Sequence, residues 1–341
     1  MQRRLETIDN VKILMMLAVV LYHSCMFFTG SWFDGAKPVY EARYLSIFAQ
    51  WLNTFHVQTF TMASGFLFYC LRTEKGKYAN FGKDVLKRGK RLLLPYFCVM
   101  LTWVIPFYVH YSGFELSQIV YKYVLGCAPS QLWFLPMLFL LFVFFYRILD
   151  EKYVSTQGML AVATISIGGG YLLDKIGVNV FQISTAVKYA GYYYFGAYIY
   201  KMKAEKRWML PISAFVSIAL FIIGKIIRTN ITASILVRLI GSILGYMCSY
   251  MGVVFIYYSV KIITERLIDA RKPKIWNELK KMSFGIYLFH QQIIYLTIVP
   301  LNGKVPPVVQ VVISFVCAIG VASLITAVLK RFKLTRTLYG V

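Results

Sequence analysis

The chain has 341 residues, of which 59% are apolar, 17% aromatic and only 15% charged, and its mean hydropathy is +0.62. A water-soluble fold cannot cover that much apolar surface, which excludes a soluble globular domain or a disordered chain. The formal net charge of +23 raises nucleic acid as a partner. The Lys and Arg residues, however, fall in short clusters between apolar runs rather than in a stripe or tail, which is the arrangement of a positive-inside membrane protein.

The first segment, MQRRLETIDNVKILMMLAVVLYHSCMFF, joins a charged start to a long apolar run. Its acidic residues, its internal His23 and the lack of a small-x-small cleavage site favour a retained first helix over a cleaved leader. A helix needs about 20 mostly apolar residues to cross the hydrocarbon core. Ten runs approach that length: 11–29, 46–70, 92–111, 131–149, 157–173, 186–201, 208–227, 234–259, 283–300 and 307–329. The fifth is interrupted by Gly168-Gly169-Gly170, and the sixth is short and tyrosine-rich. With the N-terminus inside, the cytoplasmic segments and flanks hold about three quarters of the Lys and Arg. The expectation is an all-α polytopic membrane protein of about ten transmembrane helices, N-in and C-in, with the basic loops 72–91 and 260–282 on the cytoplasmic side. No loop is long enough for a soluble domain, so 1–341 reads as a single membrane domain. There is no internal repeat, P-loop or GxGxxG phosphate cradle. The six cysteines lack the close pairing that zinc or redox chemistry requires and read as small apolar residues, so no metal site is expected.

Ionisable side chains inside a bilayer cost about 2.5–3.5 kcal/mol each on insertion scales, so those within spans are functional candidates. Lys12 and His23 in the first run are eleven positions apart, which returns them to within about 20° of each other on one helical face. Asp9 falls about 40° from His23 on that face. The stripe leads from the cytoplasmic surface to an imidazole about 16 Å deeper than Lys12. His290, in SFGIYLFHQQII, comes to a similar depth, shares a face with Ser283, and is followed by Gln291 and Gln292. Ser64 and Gly65 lie near that depth in the second run, where Gly65 would admit a helix or a substrate chain close to the backbone. Gln131 and Trp133 open the fourth run, and Trp133 equally suits an aromatic belt. Lys12 equally suits an anchor that snorkels to the interface. His56 and His110 read as structural or interfacial residues. In KDVLKRGKRLLLPYF, Arg88 and Arg91 share a helical face and suit either a phosphate clamp or a topology signal attracted to anionic lipid.

Taken in order, Asp9 with Lys12-x10-His23, TFTMASGF ending in Ser64-Gly65-Phe66, Arg88-x-x-Arg91 before LLLPYF, QLWFLPMLFLL and SFGIYLFH resemble the membrane acyltransferase-3 family over nearly the whole chain. These are bacterial proteins that acylate, most often acetylate, cell-surface glycans. Many members carry Arg where this chain has Lys12, which removes a bidentate contact there. The resemblance implies transfer of an acyl group from cytoplasmic acyl-CoA, acetyl-CoA foremost, to a hydroxyl of a cell-surface glycan or its lipid-linked precursor. The acyl-CoA is then a co-substrate and no cofactor is bound. It implies a multi-pass location in the bacterial cytoplasmic membrane, with membrane lipid but no nucleic acid among the partners. It also implies a catalytic role for His23 with Asp9, and donor contacts from Lys12, Arg72, Arg88 and Arg91. The acceptor side of the cavity falls to His290, Ser64, Gly65, Ser283, Gln131 and Trp133. Two other classes stay open from the residues themselves. One is a transporter or flippase for a glycan, lipid or small polar molecule, and the other a membrane module that binds partners without chemistry. The paired broken helices common in transporters are not visible.

Overall fold

A computed structural model describes residues 2–30, 36–177, 179–202, 208–229, 235–266 and 274–341. Some of the basic loop expected at 260–282 and the first residue of the eighth run lie outside the described residues. Among the described residues the chain is all helical. The helices are α1 (Gln2–Met26), α2 (Arg43–Asn53), α3 (His56–Lys75), α4 (Phe81–Val99), α5 (Ile105–Ser112), α6 (Leu116–Ile119), α7 (Phe134–Phe145), α8 (Thr156–Ile176), α9 (Ile183–Met202), α10 (Met209–Thr229), α11 (Ile235–Arg266), α12 (Lys274–Leu301), α13 (Pro307–Arg331) and α14 (Lys333–Tyr339).

Among the described residues each of the ten apolar runs contains helix, but six stretches are both long and apolar enough to cross a membrane. These are Gln2–Thr29, Phe81–Ser112, Met209–Ile227, Leu239–Arg266, Lys274–Leu301 and Pro307–Arg331. The other four runs fall short for different physical reasons. The run 46–70 breaks at Thr54 and Phe55 into α2 and α3. The run 131–149 contains a short apolar helix, Ser130–Phe145. Helices α8 and α9 have 21 and 20 residues, so they have the length, but glycine in the first and tyrosine in the second dilute their hydropathy.

Helix α1 is the spine of the bundle. It packs against α2, α3, α11, α12 and α13, and Ile8, Val11, Met15, Met16, Val19 and Val20 are buried along it. A helix apolar on most sides buries most of its surface among its neighbours. Helix α2 is the opposite case: Leu45, Ala49 and Leu52 form one buried stripe while Tyr44 and Phe48 are exposed. Pro95 lies inside α4, and a five-residue π-helical turn, Met100–Val104, joins α4 to α5. Such a turn widens the helix where Pro has already removed an N–H donor.

Helices α3 and α9 meet through glycine on both sides. A methyl added at Gly65 would collide with the backbone carbonyl of Tyr193, and one at Gly196 with the backbone of Met62 and Phe66. Small residues let two backbones approach to contact distance, which is how helices associate where lipid removes the hydrophobic drive. This contact holds the cavity-lining face of α3 in place. Replacing Gly65 by Leu must therefore push the two backbones away from each other, and overpacking of this kind destabilises by about 1–3 kcal/mol. The expected outcome is a lower aggregation temperature of the purified protein in detergent, with Leu worse than Ala.

Candidate active site

A cavity of about 470 Å³ opens between α1, α3, α4, α7, α9 and α12. One region of its wall carries Lys12, Arg88, Arg91 and Ser283, with Gly340 beside them. Another carries Tyr22, His23, Asn53, His56, Gln131, Trp133, Tyr189 and Gln291. Lys12 and His23 thus line one cavity from one helix, about 16 Å apart along its axis.

No Asp or Glu lines the cavity among the described residues. The Arg88 guanidinium lies over the Phe142 ring at 5.2 Å, and its Nε is buried without a hydrogen-bond partner. A buried donor without an acceptor is a standing cost of about 1–3 kcal/mol, more for a charged group. Three cations facing one space without a carboxylate make an anion site.

The other region is built of rings and amides. Tyr22 meets His23 edge-on at 5.0 Å and His56 at 4.8 Å, and the rings of His23 and His290 are 5.1 Å apart. Trp133 packs on Tyr189 at 5.5 Å. His56 Nδ1 lies 2.7 Å from the carbonyl of Leu52. A carbonyl only accepts, so Nδ1 holds the proton of the neutral ring and Nε2 keeps the lone pair.

Several expected site residues sit elsewhere. The Asp9 carboxylate is 2.6 Å from Lys280 Nζ and does not line the cavity, because a cation on α12 reaches it from the end of the bundle. Asp9 therefore stands about four turns along α1 from His23, at the basic end of the bundle and off the cavity wall. Next to it, Asn10 bonds Thr264 and Trp276 at 2.9 Å each, so this turn of α1 ties α11 to α12. Arg72 is likewise outside the cavity: it donates to the carbonyl of Tyr146 and lies over that ring at 5.6 Å. Gly65 faces α9 rather than the cavity, while Ser64 lines it and donates to the carbonyl of Phe60 at 3.0 Å. His290 is fully buried behind His23, outside the lining. His56, read from sequence as structural, does line the cavity, whereas His110 is exposed on α5. The sequence pattern does not single out Asn53, Tyr22, Tyr189 or Tyr287, which line the cavity as well. Tyr22 had a signal, its place beside His23, but an aromatic or amide in an apolar run otherwise carries little.

Gln131 lines the cavity, yet its amide is saturated. Nε2 donates to the carbonyl of Leu288 and to Gln292 Oε1, each at 2.8 Å, while Oε1 accepts from Ser130 Oγ at 2.7 Å and Gln292 Nε2 at 3.1 Å. Trp103 Nε1 donates to the same Gln292 Oε1 at 3.1 Å, and Tyr287 OH donates to the backbone carbonyl of Gln131 at 2.6 Å. The amide uses all four of its positions, so it is a strut between the 130–133 turn and α12 and has no bond left for a substrate. Replacing it by Leu leaves Gln292 Nε2 without its acceptor while Oε1 keeps Trp103 Nε1, at about 1–3 kcal/mol for the orphaned group. Thermal unfolding in detergent should show the loss, and a second substitution, Gln292→Leu, should recover some of it by removing the stranded partner.

Residues 5–327 match the family model described as an acyltransferase domain, of the acyltransferase-3 type. Comparison with curated proteins and with solved structures finds no match. Since the matched span takes in nearly the whole chain, including both the cations and the imidazoles of the cavity, the chain belongs to the acyltransferase-3 family and is a membrane acyltransferase.

Proposed function

We propose that the chain is an O-acyltransferase. In this reading it moves an acyl group, foremost acetyl, from cytoplasmic acyl-CoA to a hydroxyl of a cell-surface glycan or its lipid-linked precursor. It works as one membrane domain in the cytoplasmic membrane of a bacterium, with about ten spans, N-in and C-in. The observation that carries the reading is the cavity with two chemistries: carboxylate-free cations in one region, a partly accessible imidazole in the other, and one rigid helix setting the distance between them.

The phosphates of acyl-CoA suit Lys12, Arg88 and Arg91, because guanidinium groups bind phosphate oxygens in bidentate fashion and an ammonium adds a point charge. The extended pantetheine arm then carries the thioester toward His23. Tyr189, Trp133, Asn53 and His56 give the far wall the mixed aromatic and polar surface that suits a sugar. The neutral His23 ring takes the proton of the acceptor hydroxyl as its oxygen attacks the thioester carbonyl. The tetrahedral adduct collapses by breaking the C–S bond, and the imidazolium returns the proton to the departing thiolate. Atoms and charge balance with no further reactant.

General-base help is worth about 10²–10⁴ in rate, so His23→Ala should remain folded and lose about that much activity. Membranes from cells expressing the protein, given radiolabelled acetyl-CoA, supply the assay: label moving into a non-thioester product is the expected result. Counterflow of substrate without thioester consumption would instead identify a transporter. Arg88→Ala combined with Arg91→Ala should raise the acetyl-CoA KM at least tenfold, since each 1.4 kcal/mol of lost binding is a factor of ten, with a smaller change in kcat. An unchanged KM would remove both arginines from the donor site.

A further inference from the structure

We propose that His290 is a positioning residue that sets the tautomer of His23, by accepting a hydrogen bond from His23 Nδ1–H on its own Nε2. The proposal rests on His23 as the base and adds what keeps the correct nitrogen free.

Two buried ring nitrogens lack partners, His23 Nδ1 and His290 Nε2. Their polarity follows from chemistry. His290 Nδ1 lies 3.1 Å from the carbonyl of Ile286 and 2.8 Å from that of Tyr287. Carbonyls only accept, so Nδ1 bears the hydrogen and Nε2 of the neutral ring is a lone pair. His290 is 0% exposed, so no water reaches that lone pair. Beside it stands a second orphan, His23 Nδ1, with the ring centroids 5.1 Å apart and tilted by 53°. An N–H···N bond of about 2.9 Å between two imidazoles holds their centroids about 5 Å apart. The separation is therefore already that of a bonded pair, and rotation of the His23 ring within its broad χ2 well closes it.

Only one tautomer of His23 satisfies both orphans. With the hydrogen on Nδ1, the bond to His290 forms and Nε2 carries the lone pair that a base needs. The opposite tautomer places two lone pairs against each other in a buried site. His56 does not substitute for His290: its Nδ1 is likewise committed to the carbonyl of Leu52, but its ring lines the cavity and its remaining nitrogen is not among the sealed, partnerless atoms. When His23 takes the acceptor proton on Nε2, it becomes an imidazolium whose Nδ1–H still points at His290 Nε2. His290 stays neutral throughout, because its own proton remains on Nδ1, donated to the carbonyls of Ile286 and Tyr287. No proton passes between the rings, and the role is orientation in the sense that a buried carboxylate orients a histidine elsewhere.

The chain has four histidines, so the nitrogen spectrum of ¹⁵N-histidine-labelled full-length protein in detergent can be assigned by single substitutions. The expected spectrum has His23 in the Nδ1–H form, and His290→Phe should shift it toward a mixture. In the radiolabelled acetyl-CoA assay, His290→Phe should lower kcat about tenfold to a hundredfold with the acetyl-CoA KM unchanged. His290→Gln, whose Oε1 falls close to the place of Nε2, should restore most of the rate, whereas the shorter His290→Asn should not. The Gln and Asn pair decides the matter by itself if the Phe variant fails to accumulate. An unchanged His23 tautomer in His290→Phe, or equal loss in Gln and Asn, would overturn the proposal. Activity surviving in His23→Ala would overturn the base assignment, while the spectrum would still report on the pair independently of turnover.

Discussion

Buried charge in an apolar bundle has to be answered by a partner, and the site depends on the bundle withholding one. Lys12, Arg88 and Arg91 face a common cavity that no carboxylate lines among the described residues. Asp9 is the acidic residue on α1 nearest in sequence to Lys12, and Lys280 occupies it at 2.6 Å. Asp84, one turn before Arg88, accepts instead from Tyr146 OH at 2.6 Å and from the backbone of Asn80 at 3.1 Å. Both carboxylates thus make their contacts outside the cavity. Aromatic surface under Arg88 at 5.2 Å offsets some of the cost without removing the charge. In the proposed function the phosphates of the donor supply the missing anion.

Holding that arrangement is a matter of backbone rigidity. Close contact through Gly65 and Gly196 locks α3 to α9, and the Gln131–Gln292 amide pair locks the 130–133 turn to α12. Between these two braces sits α1, with the cation and the imidazole on one helix. Their separation is then a property of helical rise, insensitive to how the outer helices pack. The saturated amide of Gln131 also remains in place when the cavity fills, since none of its bonds need be exchanged for bonds to a ligand.

Much of this frame is visible in the sequence because it is local. Helical period alone puts Lys12 and His23 on one face, and the spacing of Arg88 and Arg91 does the same for α4. What sequence could not supply is competition from a distance. Asp9 lies on the correct face, but Lys280 is far along the chain and nothing in either segment announces their pairing. Arg72 is drawn to a carbonyl of Tyr146 for the same reason. His56 was hidden differently. The apolar run 46–70 reads as one helix, whereas the chain breaks at Thr54 and Phe55, and a facing argument cannot be carried across a break. Gln131 shows a third limit: its position on the wall was readable, but whether its amide was free depended on Gln292 and Leu288 meeting it.

The choice of an imidazole for the proposed reaction follows from the same constraint on charge. A carboxylate at the position of His23 would stand about 16 Å along α1 from Lys12, too far to pair with it, and would remain a buried charge at all times, with a desolvation cost of several kcal/mol. A neutral ring carries no such standing cost. It becomes positive only while the thioester carbonyl becomes negative, so the two charges arise together within a few ångströms and the net charge of the cavity is constant through the step. In this proposal the donor's phosphates, held by fixed cations, need not move to compensate. Neutral amide and imidazole neighbours around His23 are then an advantage, because a permanent anion placed behind the ring would be a second buried charge with a desolvation cost of its own.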